Sequence, residues 1–425
     1  MATTDHRTGG EPSRAFLATL VGLTFAMNFI GRGVVETFAV FLLPVQKGLG
    51  VSRADITLAY SIYMLAYGIA APFAGQLVDR LGARVTYGLG LASLGGGYLL
   101  AGAARELWHY LLGVGLLGGL GAASLGMIVA SGLLTRWFST GIGAIISLPY
   151  AAIGAGILVL PPLTQHLLTI YDWRTTHWLL GAGVLCALPP AMLLPLERMS
   201  AGSPRWQALR RDAGDGGAPS WTVSGALATS AFWGLFAAYL FTSVAASSVL
   251  PHSVAYLIER GFDPLAAATA FGFTGVLSVM GIVGVGWLSD RFGRRQTATL
   301  TYISTIAGIG ALILVTPWPS LALVYAFVVF FGLVQGARGP IIVAMTAVLF
   351  AGRGVGAIYG TLSIAAGLGA AVGSWASGLL YELTGGYVAS FSLGIAGAFA
   401  GLASFWAVRA LRAEKGVALP PRART

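Results

Sequence analysis

The sequence predicts an all-α integral membrane protein with twelve transmembrane helices, arranged as two pseudo-symmetric halves. Three observations carry that prediction. Hydrophobic residues make up 56% of the chain and charged residues only 9%, with a mean hydropathy of +0.80. No soluble globular protein has use for so much apolar surface, so the lipid bilayer is the solvent. Twelve apolar runs are each long enough to cross a hydrocarbon layer of about 30 Å. Finally, Gly75-Gln-Leu-Val-Asp79-Arg80-Leu-Gly82-Ala-Arg84 returns as Gly286-Trp-Leu-Ser-Asp290-Arg291-Phe-Gly293-Arg-Arg295, displaced by 211 residues in a chain of 425. Each copy follows a long apolar run and reads as a tight cytoplasmic turn. The glycines allow close approach and positive φ, the aspartate can cap or pair, and the arginines keep the loop on the cytoplasmic side.

Taken in order, the polar stretch 1–14 is an N-terminal tail. The run after it is too long for a signal peptide, so the first span is expected to stay as a membrane anchor. The spans read as 15–43, 55–74, 85–104, 107–135, 140–165, 175–195, 222–250, 264–285, 297–316, 319–349, 355–381 and 388–410. Residues 15–195 form the first half and 222–410 the second. The polar interruption 196–221 carries Glu197, Arg198, Arg205, Arg210, Arg211, Asp212 and Asp215 and reads as a linker; 411–425 is a C-terminal tail. With the N-terminus inside, 18 of the 25 Lys and Arg residues fall on the cytoplasmic side. Five (Lys47, Arg53, Arg105, Arg174 and Arg260) fall outside, which predicts cytoplasmic termini in a bacterial inner membrane.

The net charge of +10 therefore reports orientation in the bilayer, and no nucleic-acid partner is expected. Gly115 and Gly119, Gly332 and Gly336, and Gly369 and Gly373 repeat at four-residue spacing, which lets helix backbones approach closely. Gly113-Val-Gly115-Leu-Leu-Gly118 matches a dinucleotide-binding pattern but lies in a span with no strand before it, so it reads as packing. The two lysines, Lys47 and Lys415, leave no Walker A loop. Cys186 is the single cysteine, so neither an intramolecular disulfide nor a metal cluster is expected. No cofactor is expected, and the chain is not read as an enzyme.

Charges inside a bilayer are costly and mark cavities. Asn28, Arg32 and Glu36 form one stripe on the first span, because each four-residue step turns about 400°. Arg32 and Asn28 are candidates to line a cavity, and Glu36 is the first candidate for a proton site. An ion pair between Arg32 and Glu36 that touches no substrate is the structural alternative. Arg338, in Gly336-Ala-Arg338-Gly-Pro340, lies on the tenth span, where Pro340 disturbs the carbonyl ladder. Pairing Arg32 with Glu36 leaves Arg338 positive, and an anionic substrate would balance it. Gln335 and Tyr359 are further polar candidates. His252, after Pro251 on the seventh span, is the second proton candidate. His109, His166 and His177 sit at span ends and read as solvated. Tyr60, Tyr63 and Tyr67 share a helix face and read as packing.

The paired loops resemble the signature loop of the major facilitator superfamily. Further stretches are similar to its branch of bacterial monocarboxylate and oxalate–formate carriers: Val40-Phe-Leu-Leu-Pro44, Gly50-Val-Ser-Arg53-Ala-Asp-Ile56, Ser131-Gly-Leu-Leu-Thr-Arg136-Trp137-Phe138, Pro161-Pro162, and Tyr171-Asp-Trp173-Arg174. Later matches are Ala255-Tyr-Leu-Ile-Glu-Arg-Gly261-Phe, Gly352-Arg-Gly-Val-Gly-Ala-Ile-Tyr359-Gly360 and Tyr381-Glu-Leu-Thr-Gly385-Gly-Tyr387. The resemblance implies two six-helix bundles around one cavity, with both loops acting in gating. It also implies that Asp79 pairs with arginine and with the start of the eleventh span, at Gly354–Gly356. The branch's substrate arginine on the eighth span is replaced here by Ile282. The expected function is a secondary carrier of a small organic anion, driven by a proton or a counter-substrate and working as a monomer. An exporter of a cationic or amphipathic compound centred on Glu36, or a transporter-like receptor, are the alternatives.

Overall fold

A computed structural model describes residues 12–138, 142–207, 221–350, 354–409 and 411. Nearly all of the two tails, and positions 208–220 of the linker, lie outside these residues. The transmembrane helices are α1 (Arg14–Leu49), α2 (53–81), α3 (83–102), α4 (Leu107–Trp137), α5 (Ile142–Ile170) and α6 (Trp173–Leu193). The second half holds α7 (Ser230–Glu259), α8 (Pro264–Phe292), α9 (Arg294–Leu314), α10 (Leu321–Leu349), α11 (Val355–Thr384) and α12 (Tyr387–Ala407).

A helical stretch of 50 residues extends over Arg53–Gly102. A straight helix of that length would reach about 75 Å, more than twice the hydrocarbon core. Gly82 breaks it, with φ 79° and ψ 173°, so α2 and α3 are two passes. Helix α4 lies against both arms: a Cβ on Gly119 would sit 2.6 Å from the Tyr63 carbonyl oxygen, and one on Gly121 2.6 Å from the Leu94 nitrogen. Gly293, with φ 88°, makes the matching turn between α8 and α9. Both glycines occupy a left-handed region that other residues enter only with strain, which explains why the repeat keeps glycine there.

The seventh span was expected from residue 222. Instead Val223–Leu227 forms a separate short helix, and α7 starts at Ser230, where the Thr229 hydroxyl accepts from the Phe232 N–H at 3.2 Å. Threonine at this position caps the orphan amides and fixes the start.

Helices α1, α4, α7 and α10 are interrupted near mid-length, at Thr37, Gly126, Ser248–Val249 and Gly336–Ala337 respectively. By contrast α2, α5, α8 and α11 run unbroken. Interrupted helices free backbone polar groups, which lipid cannot satisfy, so they belong inside the protein and around polar sites. The two halves meet along two seams. A Cβ on Gly68 of α2 would lie 3.1 Å from the Gly367 Cα of α11, and one on Gly154 of α5 2.6 Å from the Gly275 carbonyl of α8. The absence of side chains at these crossings lets the seams close to backbone contact.

Candidate substrate site

Glu36 is the last residue before the interruption in α1, and it is buried at 3% side-chain exposure. Arg32, one turn earlier, is 27% exposed, and its Nη2 lies 2.6 Å from Glu36 Oε1. That oxygen meets the cation off the N–H axis and accepts no directed hydrogen bond, so the pair is held by charge more than by geometry. Around the break, the Thr37 hydroxyl (2.5 Å) and the Tyr98 hydroxyl (2.6 Å) both donate to the Val34 carbonyl, which also takes a 3.3 Å bond from the Thr37 N–H. Asn28, the third member of the stripe, is buried and donates to the Thr24 carbonyl at 2.9 Å, so one of its two amide donors is occupied by its own helix.

The tyrosines of α2 face this pair. Tyr60, Tyr63 and Tyr67 follow one another with ring centroids 5.8 and 6.1 Å apart, and all three lie within electrostatic reach of Arg32. The hydroxyls of Tyr60 and Tyr63 are buried without a hydrogen-bond partner. Packing alone, the role expected for these residues, leaves those two donors unexplained, since buried hydroxyls are normally paired. Tyr67 lies within electrostatic reach of Tyr359 and Tyr239 of the second half, with Tyr150 of α5 in the same neighbourhood. The Tyr359 and Tyr239 hydroxyls are 3.4 Å apart. The expected residues Arg32, Glu36 and Tyr359 are thus linked by a row of phenols that crosses between the halves.

Three candidates lie elsewhere. Arg338 follows the interruption in α10 but does not line the gap between the halves. It is 1% exposed, and Nη1 donates to the Thr301 carbonyl (3.1 Å) and the Thr305 hydroxyl (2.7 Å) of α9. Its guanidinium sits 4.7 Å from the Tyr302 ring centroid. Among the described residues no carboxylate pairs with it, and Nε and Nη2 have no partner. Gln335 donates to the Thr274 carbonyl of α8 at 3.1 Å. His252 is fully buried; Nε2 lies 3.2 Å from the Ser374 carbonyl of α11 and its ring stands edge-on to Tyr387. His177 is also fully buried, against Phe41 at 3.7 Å, and not solvated as its place near a span end suggested. It lies one turn into α6, on the face that packs on α1, which removes it from water.

At the first signature loop Asp79 forms an ion pair with Arg136 at the end of α4. Arg136 also donates to the Ser200 carbonyl at 2.5 Å, and the Ser200 hydroxyl accepts from the Ala83 N–H at 2.7 Å. Arg84 reaches the Met192 carbonyl at 2.9 Å. The short helix Leu196–Ala201 is thereby tied to the loop. Arg80 is exposed. Asp79 makes no bond to the start of α11 among the described residues. In the second loop Arg295 stacks on Trp406 (4.3 Å) and Arg291 on Trp287 (5.5 Å), while the Asp290 side chain lies outside the described residues. The copies are not equivalent: a Cβ on Gly75 would meet Ile128 at 3.0 Å, whereas one on Gly286 would meet nothing.

The opposite end of the molecule holds residues whose role the sequence reading left unassigned. Arg53 at the start of α2, 4% exposed, donates to Glu259 of α7 at 2.8 Å and to the Tyr387 hydroxyl, and lies 4.4 Å from the Tyr381 ring centroid. Glu382 of α11 accepts from the Ala54 N–H at 2.9 Å, a favourable place for a carboxylate because helix N-termini are positive. The Ser61 hydroxyl donates to the Ala371 carbonyl at 2.7 Å. Among the described residues, every hydrogen bond between the two halves involves this outer portion of α2. Three separate charged motifs, around Arg53, Glu259 and Tyr381–Tyr387, were visible in the sequence. Their convergence was not, because it depends on how the halves meet.

Comparison with known proteins agrees with this architecture. The model of the Major Facilitator Superfamily matches residues 21–358, and again 286–424. Monocarboxylate transporter 13 of Rattus norvegicus is 30% identical over 405 residues, covering 93% of this chain and 88% of that protein. The uncharacterized MFS-type transporter YcxA of Bacillus subtilis is 23% identical over 383 residues, 89% of this chain and 91% of that one. A solved structure of a bacterial homolog of the human lysosomal transporter Spinster aligns with a TM-score of 0.68 at 14% identity, covering 95% of this chain and 99% of that chain, which speaks for the fold. Interrupted and continuous helices alternating in two halves, paired signature loops and a family match over most of the chain lead to one conclusion: this multi-pass membrane protein belongs to the Major Facilitator Superfamily and is a transporter similar to its monocarboxylate branch.

Proposed function

We propose that this carrier moves a small organic anion, of the monocarboxylate kind, across the plasma membrane by alternating access. The observation that carries the reading is the Arg32–Glu36 pair, a partly exposed cation beside a buried carboxylate at the interruption of α1. Arginine keeps its proton, so the switchable member is Glu36. With Glu36 ionised, it occupies Arg32. When Glu36 takes a proton, the guanidinium is free to hold a substrate carboxylate with two parallel bonds. The site then exchanges one negative partner for another, and a proton travels with each anion. Tyr63 and Tyr67 supply hydroxyls beside that position, and Tyr359 closes it from the second half.

The relatives named as monocarboxylate transporters support the substrate class. Arg32 takes the part of the arginine that is replaced by Ile282, while Arg338 adds positive potential from within the second half. Residues 15–195 and 222–410 act as the two moving bodies, joined by 196–221, in a monomer. The basic bias supports cytoplasmic termini and a cytoplasmic linker, so the Arg53–Glu259 end faces the periplasm of a bacterial inner membrane.

Uptake of radiolabelled propionate into proteoliposomes with an imposed pH gradient tests this reading. Accumulation that follows an inward proton gradient and disappears in Arg32→Gln is expected. Uptake of organic cations with no response to propionate would instead favour an exporter centred on Glu36.

A further inference from the structure

Beside the Arg53–Glu259 contact lies a cleft of about 580 Å³, lined by Leu43, Gln46, Lys47 and Gly50 of the α1 end, Val51 and Arg53, and Ile258 and Glu259 of α7. Its charges do not balance. Lys47 and Arg53 face one carboxylate, and Lys47 is exposed with no ion pair among the described residues. Arg53 is 4% exposed, yet its buried Nε has no hydrogen-bond partner. An arginine so enclosed with an unused donor is costly unless another acceptor visits it. Glu259 is less committed: it is 30% exposed, and the oxygen that meets Arg53 also accepts from the Tyr381 hydroxyl at 3.2 Å. It would keep that partner if Arg53 were taken from it.

We infer that this cleft is a second anion site, distinct from the Arg32 position, in which a small carboxylate docks between Lys47 and Arg53, displaces Glu259 and so releases the ionic contact among the bonds that join the two halves at this end. The anion compensates the surplus positive charge and supplies the acceptor that Nε lacks. Only the ionic contact is exchanged, and no covalent step is involved. The site makes opening of this face depend on the presence of cargo outside, so an empty carrier stays closed there. The inference takes from the proposed function the sign of the substrate and the outward orientation of this end, and its test separates the two sites.

The test is cysteine labelling of full-length protein in proteoliposomes. Thr57→Cys is placed in a Cys186→Ser background. Thr57 is fully buried one turn inside Arg53, so a membrane-impermeant maleimide reaches it only when this end opens. Propionate should speed labelling severalfold over chloride at equal ionic strength. Lys47→Gln should raise the propionate concentration needed by about tenfold, as expected for losing one charge-assisted contact. Glu259→Gln should label quickly with or without propionate, because the contact is already broken. Arg32→Gln should still respond to propionate. A response lost in Arg32→Gln but intact in Lys47→Gln would overturn the second site while supporting the central one. Equal acceleration by chloride would reduce the effect to ionic screening and overturn it as well.

Discussion

At the residue scale the account rests on a charge pair whose two members have different duties. Arg32→Gln removes the permanent cation and should weaken propionate binding by about ten- to a hundredfold, the cost of one charge-assisted contact of roughly 1.5–3 kcal/mol. Glu36→Gln mimics the protonated acid, so it should bind at neutral pH as the parent does in acid and lose most of its pH dependence. The sign follows from linkage: if binding requires a protonated Glu36, affinity rises as pH falls and drops by about tenfold per unit on the alkaline side. Titration calorimetry over a pH series checks both variants. Arg338→Gln should change affinity less than Arg32→Gln, because Arg338 is enclosed by α9 and Tyr302. The sequence made Arg338 look like the better anion partner because it has no carboxylate to neutralise it. That inference weighed charge alone and could not know which side of α10 faces the gap. The four-residue stripe on α1, in contrast, was legible from helical periodicity, and Glu36 and Arg32 meet as it implied.

At the element scale, each turn and crossing places a specific demand on glycine. Gly82→Ala should destabilise the protein by about 1–2 kcal/mol, since its φ of 79° forces an L-residue into the left-handed region. Gly286→Ala, inside a helix with open space around the added carbon, should be neutral or mildly stabilising. Thermal unfolding in detergent distinguishes them, and equal losses at both sites would contradict this view of the repeat. The paired loops announced themselves in the sequence because turn chemistry is local. The short helix Val223–Leu227 did not, because its residues are as apolar as those of the span that follows. The disturbance of α10 was legible from Pro340, and the helix is interrupted at Gly336–Ala337, whereas the interruption in α1 was hidden: Tyr98 of α3, which donates to the Val34 carbonyl beside it, is far away in sequence.

At the scale of the whole molecule, the described residues bond the two halves together at one end and not at the other. Arg53, Ala54 and Ser61 bond across to Glu259, Tyr387, Glu382 and Ala371, whereas Asp79 at the loop end pairs within its own half. Changes at the two ends should therefore shift the population in opposite directions. Glu259→Gln should favour opening at the Arg53 end, and Asp79→Asn should disfavour closing at the loop end, as read by spin-label distances across each face. A body fastened at one end while the other is unfastened is what alternating access requires, and this part of the account was the least legible in sequence, since it depends on contacts between residues about 200–330 positions apart. The central claim is that an anion replaces Glu36 on Arg32 only when Glu36 is protonated. The most direct measurement is the number of protons taken up per propionate bound, from calorimetry of the purified protein in buffers of different ionisation enthalpy near neutral pH. The account predicts about one proton per anion in the parent and none in Glu36→Gln; binding without proton uptake in the parent, or uptake unchanged in Glu36→Gln, would contradict it.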